Sequence, residues 1–281
     1  MPILYDMHMH SSFSTDSDAP MQTMAQTAYH LGLSGICLTD HMDLDYPRQY
    51  HPSDPNAFAA DPEQVYQEVL RLRADYEERN LPLWIGFGLE FGMQAHLSDR
   101  FREIAERYPL DFIIASQHLL DSQDPYYPDA WENQKPEEMI DRYYRELLSN
   151  LKKMREWDTL AHLDYIIRYI PEEKAVKGCV YDSMEHHADL IDEILRHVIY
   201  AKKCLEVNTS GYKYGLGQPN PTPSILRRYR ELGGERITIG ADAHAPEHIA
   251  FAFDRVRSLL RSMGYRSYCV FEGRHMREIP L

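Results

Sequence analysis

The chain has 281 residues, 43% hydrophobic and 26% charged, as in an ordinary soluble globular protein, and its length is one that an α/β barrel fills as a single domain over residues 1–281. Its net charge of −14 excludes nucleic-acid binding through a basic footprint. No apolar run is long enough to cross a bilayer and no basic-then-apolar signal opens the chain, so the expected setting is cytoplasmic, with no membrane partner.

Cys37, Cys179, Cys204 and Cys269 are dispersed, without a Cys-x-x-Cys, and read as reduced, mostly buried thiols. The 14 histidines are the compositional oddity. His30, His186, His187, His197, His248 and His275 stand in helical or polar context and read as surface residues. Position sets the others apart.

The first apolar run, from Ile3 to Met9, ends in His8-Met9-His10. Alternation along a strand puts both imidazoles on one face, with Asp6 behind them. After a polar turn that carries Asp16, a helix is expected from Pro20 to Leu31, then a strand Ile36-Cys37-Leu38 ending in Thr39-Asp40-His41. Residues 42–60 are irregular and rich in Tyr, Pro and Asp, as in a lid or binding loop. A helix from Pro62 to Arg79 follows, with apolar spacing at Val65, Val69, Leu70 and Leu72.

The third strand, Leu83 to Leu89, closes with Glu90. A helix near Leu97–Arg107 leads to Phe112–Ala115, closed by Ser116-Gln117-His118. A second polar-aromatic loop, Asp121 to Lys135, precedes a helix from Pro136 to Trp157, whose proline and Glu137-Glu138 suit an N-terminus. The fifth strand, Thr159-Leu160-Ala161, ends His162-Leu163-Asp164, and Tyr165 to Val180 is partly irregular. A helix Ser183–Lys202 is followed by a strand Cys204–Val207 ending Asn208-Thr209-Ser210-Gly211. Tyr212 to Pro223 reads as a loop, Ser224–Leu232 as a helix, and Arg236–Gly240 as the seventh strand, ending Ala241-Asp242-Ala243-His244. A helix Glu247–Met263 and a short strand Tyr268–Phe271 complete the chain.

Strands alternating with helices imply a parallel sheet. Ligand-type residues at the ends of nearly all these strands fit the C-terminal rim of a barrel; a doubly wound sheet would gather them at one switch point. The inventory is His8, His10, Asp16, His41, Glu90, His118, His162, Asp242 and His244. One zinc takes three or four ligands, so this nitrogen and oxygen set suits two or three divalent ions of the zinc, iron or manganese type sharing a carboxylate. Such a cluster with a bridging hydroxide hydrolyses phosphoesters. Any one of these residues could merely line a wet barrel mouth; all of them at one topological position point to metal.

Taken together, His8-Met9-His10, Thr39-Asp40-His41, Gly88-Leu89-Glu90, Ser116-Gln117-His118, His162-Leu163-Asp164 and Gly240-Ala241-Asp242-Ala243-His244 resemble the successive motifs of the PHP (polymerase and histidinol phosphatase) superfamily. Glu206 to Gly211 and the Arg168-Tyr169 pair resemble its stand-alone histidinol-phosphate phosphatases. The resemblance implies a distorted (β/α)7 barrel, a trinuclear site and hydrolysis of a small-molecule phosphate monoester, L-histidinol phosphate foremost. Another PHP-type phosphoesterase, acting on nucleotide or other small phosphates, is the alternative. It also implies the ligand sets: His8, His10, Glu90 and Asp242 for one ion, Glu90, His118 and His162 for a second, Asp16, His41 and His244 for the third. Glu90, Asp242 and His244 form the catalytic group.

Asp16 stands where family members often have histidine, which favours a harder ion. Asp6, Asp40 and Asp164 read as orienters of the neighbouring imidazoles. Arg168 is the candidate phosphate clamp, because guanidinium pairs two phosphate oxygens, and Asn208 a second substrate-facing residue. Tyr46, Tyr50, Tyr126, Tyr127, Tyr212 and Tyr214 could shape a pocket for the imidazole end of the substrate or pack the loops down. The amidohydrolase alternative lacks the metal-bridging lysine it would need after a middle strand. A polymerase module is disfavoured by the strong acidity.

Overall fold

Each apolar run closed by a histidine or an acid becomes a parallel strand with its polar end on a common rim. A computed structural model of the chain describes residues 2–175 and 181–281. In chain order the elements are β1 (Tyr5–Met9), α1 (Met21–His30), β2 (Gly35–Leu38), β3 (His41–Met42), α2 (Pro62–Glu78), β4 (Trp84–Gly92), α3 (Ser98–Arg107), β5 (Phe112–Ser116) and α4 (Pro136–Lys153). Then come β6 (Thr159–Leu160), α5 (Ser183–Tyr200), β7 (Cys204–Asn208), α6 (Ser210–Lys213), α7 (Pro223–Glu231), β8 (Ile237–Gly240), α8 (Phe253–Ser262), β9 (Ser267–Glu272) and β10 (His275–Pro280).

The strands lie in the order β1-β2-β4-β5-β6-β7-β8, with β3 beside β4, and every pairing among them is parallel. Helices between successive strands cover the outside, so strands such as β2, β5 and β8 are buried along their whole length and read as continuous apolar runs. The sheet curls into a barrel whose two edges meet at the rim: Asp242 N–H donates to His8 O and His10 N–H to Ala243 O, both at 2.8 Å. The seam is therefore made by residues that flank the candidate ligands.

At the opposite end, β9 and β10 form an antiparallel hairpin under the barrel. At its tip Gly273 N–H donates to Asp111 Oδ1 at 2.8 Å and Arg274 Nε to Asp158 Oδ2 at 2.5 Å. Asp111 and Asp158 stand just before β5 and β6, so buried charge is matched by charge and backbone donors at the N-terminal end.

Most elements fall where the sequence places them, and the differences have local causes. The helix begun at Pro136 ends at Lys153, because Met154 turns extended and the chain runs directly towards β6. The last long helix starts at Phe253. Before it, Ala250 N–H donates to Asp6 Oδ2 at 2.9 Å, and left-handed Ala250 and Ala252 bend the chain around that anchor. The loop after β7 begins with a short helical turn, Ser210–Lys213, whose first N–H is taken by Asn208 Oδ1 at 3.0 Å. Residues 275–280, largely exposed and polar, pair with β9 as a strand that periodicity does not reveal.

His187, read as a surface residue, is buried at a kink of α5, with Nε2 2.8 Å from the Tyr181 hydroxyl. Cys37, Cys204 and Cys269 are free and buried; Cys179 and the last part of the Tyr165–Val180 stretch lie outside the described residues.

Gly240 closes β8 against β1. A Cβ there would collide with His8 Cβ and come 2.7 Å from Glu206 Oε1 and 3.1 Å from His8 N. Gly240→Ala should therefore overpack the seam and cost about 1–3 kcal/mol. The check is urea unfolding: the midpoint should fall with an unchanged slope, and a wild-type midpoint would show that the seam yields freely.

Candidate metal centre

Glu90, at the rim end of β4, is surrounded by histidines. Its Oε1 lies 3.0 Å from His162 Nε2, 3.2 Å from His118 Nε2 and 3.3 Å from His8 Nε2. Its Oε2 lies 3.1 Å from His41 Nδ1 and 3.5 Å from His10 Nε2, and Ser116 Oγ donates to Oε1 at 2.6 Å. Asp242, at the end of β8, adds a second carboxylate, with Oδ1 3.4 Å from His10 Nε2 and 3.8 Å from His8 Nε2. Asp16 approaches from the turn after β1, its Oδ2 3.0 Å from His244 Nε2 and 3.6 Å from His41 Nε2. All nine ligand-type residues of the sequence thus meet at one rim.

The groups whose donor atoms lie within 4.8 Å of one another are His8–His10–Asp242, His8–Glu90–His162, His41–Glu90–His118 and His10–His41–His244. They overlap through His8, His10, His41 and Glu90, as a polynuclear site requires. Asp16, the most exposed member, stands outside these groups and reaches the cluster through His244 and His41.

The imidazoles are aimed by acceptors behind them. His8 Nδ1 donates to Glu206 Oε1 at 2.6 Å and His118 Nδ1 to Asp43 Oδ1 at 2.8 Å. His244 Nδ1 donates to Asp242 O at 3.0 Å, and His10 Nδ1 to Ser14 Oγ at 3.2 Å. Each of these contacts places the proton on Nδ1 and turns the Nε2 lone pair into the site, the arrangement of a metal-ligating histidine. The left-handed backbone of Asp242, at φ 52°, is a strained conformation of the kind that clusters at functional sites.

Electrostatics calls for cations. Burial opposes ionisation of Glu90 and Asp242, yet the surrounding histidines, His8 first, hold both carboxyls well below the usual range. Burial likewise opposes a charged His8, but Glu206, Glu90 and Asp242 raise it well above an ordinary imidazole. Burial, with His244 and His41 beside it, lowers His10 to about 3. His8 Nε2, His10 Nε2 and Glu90 Oε2 are buried without a hydrogen-bond partner among the described residues. Lone pairs facing lone pairs inside a dry site fit divalent ions.

Two of the three aspartates read as imidazole orienters hold other groups instead. Asp6 accepts from Ala241 N at 2.9 Å and Ala250 N at 2.9 Å, because an irregularity of β1 between Asp6 and Met9 breaks the simple alternation. Asp164 accepts from Asn220 Nδ2 at 2.6 Å and Thr222 N at 2.7 Å, pinning the loop that covers β7. Asp40 acts at one remove, taking Ser14 Oγ–H at 2.7 Å while that oxygen receives His10 Nδ1. The direct orienters, Glu206 and Asp43, escaped sequence reasoning. The available signals were a carboxylate inside an apolar strand and an acid two residues after His41.

Arg168 sits in a 3-10 turn, Tyr165–Tyr169, with its guanidinium 4.4 Å from the Tyr214 ring centroid. Nη2 donates to Ser210 Oγ at 2.6 Å, Nε has no partner, and among the described residues it forms no ion pair. Asn208 is fully buried: Nδ2 donates to Glu206 Oε2 at 3.1 Å and Asp242 Oδ2 at 3.4 Å, and Oδ1 accepts from Ser210. It braces Glu206 and one candidate ligand, Asp242, from behind. A cavity of about 600 Å³ opens in front of the cluster, lined by Arg168, Tyr46, Tyr126, Tyr127 and Tyr214 among others. Tyr50 stacks on Tyr127 at 4.0 Å, and Tyr212 packs under Arg255, 4.2 Å from its guanidinium. Tyr165 and Tyr169, singled out by no periodicity, line the same cavity.

A parallel barrel that gathers divalent-metal ligands on its C-terminal rim, in front of an open cavity, defines the class: a metal-dependent hydrolase. Residues 6–210 match the PHP domain, and the chain belongs to that family. A histidinol-phosphatase of Lactococcus lactis subsp. lactis is 28% identical over 95% of this chain and 94% of its own length. The histidinol-phosphatase of Saccharomyces cerevisiae is 21% identical over 90% of this chain and 88% of its own. A crystal structure of histidinol phosphate phosphatase from Lactococcus lactis subsp. lactis, complexed with zinc, L-histidinol and phosphate, superposes with a TM-score of 0.83 at 25% identity, covering 98% of this chain and 99% of that one.

Glu206 holds two candidate ligands, accepting from His8 Nδ1 at 2.6 Å and from the His162 N–H at 3.0 Å. Glu206→Gln, which removes the charge behind the imidazole, should weaken divalent-ion retention about ten- to a hundredfold. Chelator competition followed by elemental analysis checks this; undiminished retention would make Glu206 a mere packing residue.

Proposed function

We propose that this chain is a metal-dependent phosphomonoesterase that hydrolyses L-histidinol phosphate to L-histidinol and phosphate. The observation that carries the reading is the pairing, in one cavity, of the Glu90-centred ligand cluster with the unpaired guanidinium of Arg168. Relatives named histidinol-phosphatases that align over most of their own length, and a fold neighbour complexed with zinc, L-histidinol and phosphate, support the substrate. The free, buried Cys37, Cys204 and Cys269 go with a reducing cytoplasm.

His8, His10, Glu90 and Asp242 would hold one ion, Glu90, His118 and His162 a second, and Asp16, His41 and His244 a third. Zinc, iron or manganese fits this donor set, and elemental analysis of protein purified without chelator should return two or three ions per chain. When bound, the ions lower the pKa of water and neutralise charge on the phosphoryl oxygens. Glu90, reached by imidazoles from several strands, fixes the ligand positions relative to one another. Asp242 and His244 do the same across the seam, where the backbone of one holds the ring of the other.

Arg168 binds the phosphate from the cavity side. Ser210 fixes one end of its guanidinium and the tyrosines flank its faces, so the fork is pre-set. Guanidinium has no lone pair to give a metal. Arg168→Ala should therefore keep its ions while kcat/KM for histidinol phosphate falls about ten- to a hundredfold. Arg168→Lys should recover only part, since a point charge does not replace the fork. Steady-state phosphate release beside metal content is the test; wild-type kcat/KM in Arg168→Ala would overturn the clamp.

A further inference from the structure

The two polar-aromatic loops meet over the cavity, and what joins them is a buried carboxylate. Asp124, in the second loop, is 8% exposed and lines the cavity wall. Its Oδ2 accepts from the Tyr46 hydroxyl of the first loop at 2.6 Å, and its Oδ1 from Tyr126 N–H at 2.8 Å. Among the described residues no lysine, arginine or histidine forms an ion pair with it. An anion held in a largely dry wall by neutral donors alone is costly unless a cation joins it.

Its surroundings are those of a cation site. The rings of Tyr46, Tyr126, Tyr127 and Phe58 line the same cavity, with Tyr46 and Phe58 centroids 4.5 Å apart. Aromatic faces around a carboxylate attract an ammonium group and exclude its water. Tyr126 stands edge-on to both Tyr127, at 5.1 Å, and Tyr169, at 5.8 Å, and so spans from the Asp124 wall to the turn that carries Arg168. One cavity thus has two poles, a cationic one at Arg168, beside the candidate metal ligands, and an anionic one at Asp124. Burial also raises the Asp124 carboxyl above its ordinary range, as expected of an anion awaiting its counter-charge.

We infer that Asp124, held by Tyr46 and Tyr126 within this aromatic wall, binds the ammonium group of the substrate and selects phosphomonoesters whose organic part carries a cation. This rests on the phosphomonoesterase reading and adds a specificity residue to it.

The test uses pairs of esters that differ only in the amine: histidinol phosphate against imidazolylpropyl phosphate, and phosphoethanolamine against ethyl phosphate. The wild-type enzyme should favour the amine-bearing member of each pair. In Asp124→Asn, which is isosteric and keeps one of the two acceptor oxygens, the ratio of kcat/KM within a pair should fall about ten- to a hundredfold. Should that variant not fold, inhibition of the wild type reads the same contact: L-histidinol should bind about tenfold or more tighter than imidazolylpropanol. An unchanged ratio, a wild type indifferent to the amine, or equal inhibition by the two alcohols overturns the assignment. No turnover of histidinol phosphate beside a clear preference for phosphoethanolamine would instead overturn the histidinol reading and uphold the ammonium site.

Discussion

A carboxylate buried among imidazoles is the constraint on which the rim is built. Glu90 is 1% exposed and within 3.5 Å of ring nitrogens on His8, His10, His41, His118 and His162. Bringing those rings to one carboxylate requires strands that end at the same height around a closed curve, and a parallel barrel supplies that. The long β4, which carries Glu90, is also the strand that β2, β3 and β5 pair with. The same ring of donors and acceptors would be intolerable in a dry core without cations, so the fold and its metal requirement are one problem.

The convergence of the candidate ligands was legible in the sequence because they follow the ends of apolar runs, and a run's end is visible in a one-dimensional pattern. What aims the ligands was not. Glu206 sits inside β7 with apolar neighbours on either side, and only the closing of the barrel brings it beneath His8. Asp6 shows the reverse failure. Strict alternation places it with the histidines, whereas the irregularity in β1 turns its carboxylate to the backbone of the seam. Periodicity predicts faces, and a local break in pairing reassigns them. The terminal hairpin was half visible for a similar reason: β9 is apolar and buried, whereas β10 is an exposed polar edge.

The loops tell a complementary story. Composition alone marked residues 42–60 and 121–135 as unlike simple connections, but tyrosines serve equally as glue and as pocket wall. The structure divides them. Tyr50 stacks on Tyr127 and Tyr212 on Arg255, while Tyr46, Tyr126, Tyr127 and Tyr214 face the cavity. Tyr46 does both, since its ring lines the wall and its hydroxyl ties one loop to the other.

The rim seam has a consequence for how the molecule comes into being. Ala241 N–H reaches Asp6 across 235 positions of sequence, and Ala250 across 244. Contacts so distant close only after most of the chain has been ordered, and the loop-closure entropy they carry must first be offset by local pairings. The rim is therefore assembled late, and its set of candidate ligands is complete only when β8 docks against β1.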